Sequence, residues 1–154
     1  MGTSLLQILM GTIGALGFAM LFGLTEKRIL AWIAVGAAVG WGIYLAAVAN
    51  GSGIYAGLLI SSLFVGAYSE RMARVLRVPA IAIMVPSLVP AIPGGDLYYT
   101  MASLVNEDLT VFRLRALRVL LEAGSIALGI ALVAFAEIIF RTAYSHIKTR
   151  KPSN

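Results

Sequence analysis

The side chains best suited to hold a small solute are concentrated in one short part of the chain, residues 86–98. Ser87 offers a hydroxyl, Asp96 a carboxylate and Tyr98 a phenol, and each of these groups can hydrogen-bond a ligand. Prolines and glycines around them can open a helix, and the backbone N–H groups at the start of a new helix suit a carboxylate. We therefore predict a substrate-binding site formed by seven residues, namely Ser87, Pro90, Pro93, Gly94, Gly95, Asp96 and Tyr98.

The prolines of this part also predict a broken helix. Four of the five prolines in the chain are Pro79, Pro86, Pro90 and Pro93. An interior proline removes a backbone donor and clashes with the preceding turn, so we expect the chain to unwind from about Pro86 to Gly95. Unwound backbone in lipid is stable only where protein covers it or where it lines a watery cavity. The alternative is that the prolines only kink a helix around a neighbour.

The composition indicates an all-α integral membrane protein. Of the 154 residues, 60% are hydrophobic and only 12% are charged, whereas soluble domains carry about 25% charged residues. The mean hydropathy is +0.91. A net charge of +5 does not indicate nucleic-acid binding here, because the basic residues lie in short segments between apolar runs, where membrane orientation explains them. The chain has no cysteine, which excludes disulfides and thiolate metal sites.

The apolar runs predict one transmembrane domain over residues 1–154, with about five helices. We place the spans at about residues 4–24, 29–49, 54–70, 79–105 (broken) and 116–140, followed by a basic cytoplasmic tail at 141–154. Glycines three or four residues apart predict helix faces that pack closely: Gly11, Gly14 and Gly17 in the first span, Gly36 and Gly40 in the second, and Gly53 and Gly57 at the third. Such faces also make a homo-oligomer possible.

The basic residues predict an orientation. With five crossings, nine of the twelve Lys and Arg residues lie on one side of the membrane and three on the other. The positive-inside rule then places the N-terminus outside and the C-terminus in the cytoplasm. If residues 79–105 formed a re-entrant loop instead, the three arginines that follow would be cytoplasmic, but the basic tail would lie outside. We prefer five crossings.

The proline pattern resembles that of a known family. Pro79, Pro86, Pro90, Pro93-Gly94 and Tyr98 read as P-x6-P-x3-P-x2-P-G-x3-Y. This spacing, together with the chain length and span count, resembles the small five-span unit of the threonine/serine exporter family. The resemblance implies a bacterial inner-membrane exporter of small metabolites that works with a larger membrane subunit. Its substrates would be threonine- and serine-type amino acids or C4-dicarboxylates such as succinate. Asp96 departs from the small neutral residue expected there.

Each candidate side chain also has a structural interpretation. Asp96 could carry a proton or repel the wrong substrate, but the role of N-cap for a helix starting at Leu97 is slightly favoured. Ser87 could bind a ligand, but it more often satisfies backbone carbonyls that a break sets free. Tyr98 and Tyr99 could donate to a solute or belong to the interfacial aromatic belt.

Charged residues near the last span are given structural roles. Three arginines could attract anionic metabolites, although an interfacial helix that binds lipid headgroups is the favoured interpretation. They are Arg113, Arg115 and Arg118. Glu122 lies four residues after Arg118, and Glu137 four residues before Arg141, so each pair can meet along its helix.

The sequence contains neither HExxH nor GxSxG, and its single histidine cannot build a typical zinc site. We therefore predict no enzyme activity, no metal and no cofactor. The leading hypothesis is the small subunit of an exporter in the lipid bilayer. The alternative is a non-transporting membrane assembly or scaffold subunit, and a lipid-modifying enzyme is the weakest of the three.

Overall fold

The structure, a computed structural model, describes the backbone of residues 2–149, and within them it contains six α-helices and no strand. The helices are α1 (Gly2–Leu21), α2 (Lys27–Ala49), α3 (Ile54–Leu76), α4 (Ala80–Leu88), α5 (Gly94–Val105) and α6 (Leu109–Thr149), with a 3-10 turn at Val89–Ala91. The predicted all-α membrane protein is confirmed. Residues 141–149 of the predicted basic tail continue α6, and 150–154 lie outside the described residues.

Within the part of the chain that the structure describes, three helices are long and apolar enough to cross a membrane, namely Thr3–Leu21, Lys27–Ala49 and Leu109–Phe140. The pair Ala80–Ala91 and Gly94–Val105 is bent by 61° and is either a fourth, broken span or a re-entrant loop. The 23 residues of α3 also have the length of a span, but several of them are polar or charged. Eight residues of α3 are buried among its neighbours, and three of them are serines, so these hydroxyl groups face protein.

The break is narrower than the prolines predict. α4 continues through Pro86 to Leu88, the 3-10 turn follows directly, and only Ile92 and Pro93 lie outside helical structure. The prediction of unwinding from Pro86 to Gly95 is therefore wrong in extent. Pro90 lies at the start of the 3-10 turn, where a missing N–H costs little, and Ile92 is extended (ψ 128°) because it precedes a proline.

The glycine pair of α2 packs against α3 as predicted. A Cβ at Gly40 would lie 2.5 Å from Val65 Cγ2, and one at Gly36 would lie 2.8 Å from the ring of Tyr68. The Ser61 hydroxyl donates to the carbonyl of Gly40 at 2.7 Å. Close backbone approach thus lets a serine of one helix satisfy a carbonyl of the next.

In α1, only part of the predicted glycine face is used. A Cβ at Gly11 would lie 3.0 Å from Pro90 Cβ, so this glycine lets α1 approach the 3-10 turn. Around Gly14 and Gly17, the described part of the chain places nothing within 4 Å of an added Cβ. That outer face of α1 is therefore open.

The contact between α3 and α6 is the most extensive in the fold, and it was not predicted. Gly129 lies directly against Ser62, and an added Cβ would also lie 3.0 Å from the Leu59 carbonyl oxygen. Arg74 of α3 forms an ion pair with Glu137 of α6. The sequence had paired Glu137 with Arg141, whose side chain lies outside the described ones.

Candidate functional site

A small cavity lies beside the break between α4 and α5. Its volume is about 130 Å³. Helices α2, α3, α5 and α6 and the break itself all contribute to its wall, so it lies where the broken helix meets the rest of the fold. Its lining consists of Trp41, Tyr44, Ile54, Leu58, Pro90, Ala91, Ile92, Pro93, Asp96, Arg118 and Glu122.

The charged part of this lining is one guanidinium between two carboxylates. Arg118 Nε donates to Glu122 Oε1 at 3.0 Å, one turn further along α6. Arg118 Nη2 lies 3.6 Å from Asp96 Oδ2, which belongs to α5. Arg118 therefore ties the second half of the broken helix to α6, and its side chain is still 47% exposed. A solute carboxylate has access to it.

Glu122 is the unusual member of this group. The residue is only 3% exposed, and its Oε2 atom has no hydrogen-bond partner among the groups that the structure describes. A buried carboxylate oxygen without a donor is costly in an apolar environment. The wall that contains Glu122 is therefore suited to a ligand that brings a donor, such as an ammonium group.

Asp96 does not have the capping role that the sequence favoured. α5 begins at Gly94, not Leu97, with Pro93 as its N-cap and no side-chain cap bond. The capping interpretation is wrong because the helix starts three residues earlier than expected. Asp96 lies in the first turn, where a negative charge is favourable, and its carboxylate is turned toward Arg118.

The backbone at the start of α5 is open. The Gly94 N–H bonds to the Ile92 carbonyl at 2.7 Å, and the Leu97 N–H bonds to that of Pro93 at 2.9 Å. The N–H groups of Gly95 and Asp96 belong to the first turn, which has no intrahelical partners. In the described residues, nothing lies within 4 Å of a Cβ added at Gly94 or Gly95. Gly94 and Gly95 are exposed residues, and the described residues provide no partner outside the helix for the Gly95 and Asp96 N–H groups.

The structure brings together only part of the predicted site. Pro90, Pro93 and Asp96 line the cavity. Gly94 and Gly95 lie at its edge, in the first turn of α5. Ser87 is buried away from the cavity, and its hydroxyl lies 3.5 Å from the Ile33 carbonyl of α2. The predicted bond from Ser87 to a carbonyl that the break leaves unpaired is therefore not formed.

Tyr98 points away from the cavity and is 70% exposed. Its ring packs edge-on against that of Tyr99, and the Arg115 guanidinium lies 5.4 Å from the centre of the Tyr99 ring. These side chains form an outer surface of α5 and α6. They do not contribute to the cavity.

The sequence analysis considered Arg118 as one of three arginines that could attract anionic metabolites but favoured lipid binding for it, and it did not identify Glu122 as a site residue. The contact between Arg118 and Glu122, four residues apart, was predicted and is confirmed, but it was given a structural role. Glu122 could have been identified from its position, several residues inside an apolar span. A carboxylate in such a position is costly unless it has a function or a partner. Trp41 and Tyr44 also line the cavity, and their rings stack with centroids 4.5 Å apart.

Among the side chains that the structure describes, no group of three or more His, Cys, Asp or Glu is placed to hold a metal ion. The acidic side chains of the cavity are instead joined through Arg118. The arrangement places a half-exposed cation beside a buried carboxylate oxygen that has no donor among the described residues.

Comparison with known proteins gives one family. No solved structure matches the chain. A family model described as "Threonine/Serine exporter, ThrE" matches residues 7–136, which include the break and the whole lining of the cavity beside it, with Arg118 and Glu122. The match confirms the resemblance carried by the proline pattern, and it covers most of the chain. The chain therefore belongs to the threonine/serine exporter family, and it is a membrane protein of transporter type.

Proposed function

We propose that this chain is the small subunit of a bacterial inner-membrane exporter for amino acids of the threonine/serine type, with the solute path through the cavity at the break. The observation that carries the proposal is the free, buried Oε2 of Glu122 beside the guanidinium of Arg118. An amino acid has a carboxylate for Arg118 and an ammonium group for Glu122. One small zwitterion would thus satisfy both.

Charge favours amino acids over C4-dicarboxylates. With all three side chains ionised, Asp96, Arg118 and Glu122 carry one net negative charge. A solute such as succinate would meet two carboxylates and a single guanidinium, and like charges brought together at a site disfavour binding. Succinate-type solutes are the second candidate, supported by the open amides at the start of α5.

The break needs a covering partner. The open amides of Gly95 and Asp96 would be unstable against hydrocarbon, since the bilayer core offers no hydrogen-bond partner. We propose that a larger membrane subunit of the same family covers this side and contributes a second broken helix. A second copy of the chain, packed on the open glycine face of α1, is the alternative.

The scaffold hypothesis explains less of the structure. A subunit that only packs has no use for a carboxylate with a free, buried oxygen beside a cavity, because an apolar side chain there would cost less. Transport gives Glu122 a ligand, and we prefer it for this reason.

Export of labelled threonine, serine and succinate from cells with and without both subunits tests the proposal. We expect loss of either subunit to reduce threonine and serine efflux and to leave succinate efflux unchanged. If efflux of all three solutes were the same in every strain, the scaffold would be favoured.

Asp96→Asn should reduce pH-driven export and weaken the apparent affinity. The threonine concentration that gives half-maximal export should rise about two- to fivefold. The substitution removes the partly exposed ion pair between Asp96 and Arg118, and such a pair contributes up to about 1 kcal/mol. The measurement is threonine export against concentration at several pH values. Glu107→Gln, in the exposed connection before α6, is the matched control. Identical export for Asp96→Asn and wild type at every pH would exclude a proton or solute role for Asp96.

Five crossings predict opposite labelling of two cysteines. The natural chain has none, so Ser52→Cys and Ser153→Cys can be labelled without background. A membrane-impermeant reagent should reach residue 52 from outside and residue 153 only from the cytoplasmic side. Labelling of both from one side would refute the five-crossing topology.

A further inference from the structure

A second charged cluster lies at the opposite end of the α3–α6 pair. It consists of Glu70, Arg74 and Glu137. The cluster borders a larger cavity, of about 430 Å³. The other lining residues are Ala73, Val78, Ala80, Ala134 and Ile138.

Like the cluster at the break, this one contains one arginine and two acidic residues. Arg74 forms an ion pair with Glu137 across the two helices, and its Nη2 lies 3.8 Å from Oε2 of Glu70, one turn earlier in α3. As at the break, one guanidinium stands between two carboxylates, and one of these is four residues away on the same helix. The side chains are 49%, 33% and 29% exposed for Arg74, Glu70 and Glu137. All three are therefore accessible from the cavity.

The two clusters are separated by most of a membrane thickness. Glu122 and Glu137 are fifteen residues apart on α6, which at 1.5 Å per residue is about 22 Å. The hydrocarbon core of a bilayer is about 30 Å thick. The clusters therefore lie toward opposite faces of the membrane, joined by the same helix.

A purely structural role explains this cluster poorly. The α3–α6 contact is already made by Gly129 against Ser62 and by Gly66 against Val133. A half-exposed ion pair adds only about 0–1 kcal/mol to such a contact. Glu70 makes no contact with α6 at all in the ion pairs of the described residues, yet it brings a second carboxylate to the cavity.

We propose that Glu70, Arg74 and Glu137 form a second solute-binding site for zwitterionic amino acids, on the cytoplasmic side in the orientation proposed above. The inference rests on the proposed function. The solute carboxylate takes the place of Glu137 on Arg74, and the solute ammonium group binds the two carboxylates. A dicarboxylate can contact only Arg74, and a simple amine can contact only the two carboxylates. We expect both to bind more weakly than a zwitterion, which makes both contacts.

The test uses cysteine protection in membranes from cells that contain the full chain with its natural partners. Ile138→Cys places a thiol in the cavity lining at an exposed position. We expect a water-soluble maleimide to label it and threonine to slow that labelling severalfold, while succinate and ethanolamine have little effect. Val75→Cys, exposed at the same end of α3 but outside the lining, is the control and should show no protection.

Glu70→Gln supplies the second variant. Glu70 is not the partner that joins α3 to α6, so the fold should persist. We expect the threonine concentration that gives half-protection at residue 138 to rise about two- to fivefold, as for loss of one partly exposed charge contact. The same substitution should leave protection of a cysteine at Ile92, in the cavity at the break, unchanged.

The outcomes separate this inference from the proposed function. Protection at residue 92 without protection at residue 138 would overturn the second site and leave the path at the break intact. Protection at residue 138 that responds to Glu70→Gln, without export or protection at residue 92, would support the second site and overturn the proposed path. An unreactive thiol at residue 138, or protection insensitive to Glu70→Gln, would overturn the second site.

Discussion

Replacement of Arg118 by glutamine is expected to lower threonine export at least about tenfold, a loss of about 1.4 kcal/mol in apparent binding. The substitution removes the proposed carboxylate contact and leaves Glu122 buried without its one donor, Arg118 Nε. Loss of one partner of a fully buried ion pair costs about 3–5 kcal/mol. We expect a smaller loss of binding free energy at Arg118 because its side chain is half exposed.

Arg115→Gln is the matched control for this prediction. Arg115 lies three residues earlier on α6, but it contacts the Tyr99 ring and not the cavity, so its loss should leave export close to wild type. Arg118→Lys keeps the charge and loses the planar fork, and we expect export between that of wild type and Arg118→Gln. Export is measured at equal amounts of protein in the membrane. Equal export by Arg118→Gln and Arg115→Gln would contradict the assigned role.

Gly129→Ala is expected to destabilise the fold, because α3 lies directly against α6 at this glycine. The added Cβ would meet Ser62, the Leu59 carbonyl oxygen at 3.0 Å and the Leu63 nitrogen at 3.1 Å, and two of these neighbours are backbone atoms that cannot turn away. Overpacking of this kind costs about 1–3 kcal/mol. The thermal unfolding midpoint of the purified protein should fall by several degrees. Export should fall too, because α6 holds Glu122 and Glu137.

Gly124→Ala separates this steric effect from the loss of a helix glycine. In the described chain nothing lies within 4 Å of a Cβ at Gly124, and alanine favours helix more than glycine does. Its unfolding midpoint should equal or slightly exceed that of wild type. If both alanine variants unfolded at the wild-type temperature, the close α3–α6 approach at Gly129 would be excluded.

Local patterns predicted the features that depend on neighbours in the chain. The apolar runs predicted a helical membrane protein, the proline cluster predicted the break, and Gly36 with Gly40 predicted a close helix contact. The four-residue spacing of Arg118 and Glu122 predicted their hydrogen bond. Each of these depends on residues that one helix or one turn brings together, so no knowledge of the packing was needed.

The rest depends on which helix faces meet, and the sequence does not determine this by spacing. Asp96 reaches Arg118 because α6 folds back along α5 after the turn at residues 106–108. Glu137 was assigned to Arg141 by spacing, yet it pairs with Arg74, which is 63 residues away in the chain. Ser87 and Tyr98 were placed in the site because they are near the prolines. In the structure, Ser87 lies on the face of α4 that packs against α2, and Tyr98 lies on the exposed face of α5.

The most direct test of the central claim is the labelling rate of Ile92→Cys by a water-soluble maleimide in native membranes. Ile92 lies in the break, lines the cavity and is 53% exposed. We predict that the thiol reacts, because the break faces a watery solute path, and that threonine slows the reaction. A thiol that stays unreactive, as it would against hydrocarbon, or one that reacts at the same rate with and without threonine, would contradict the account.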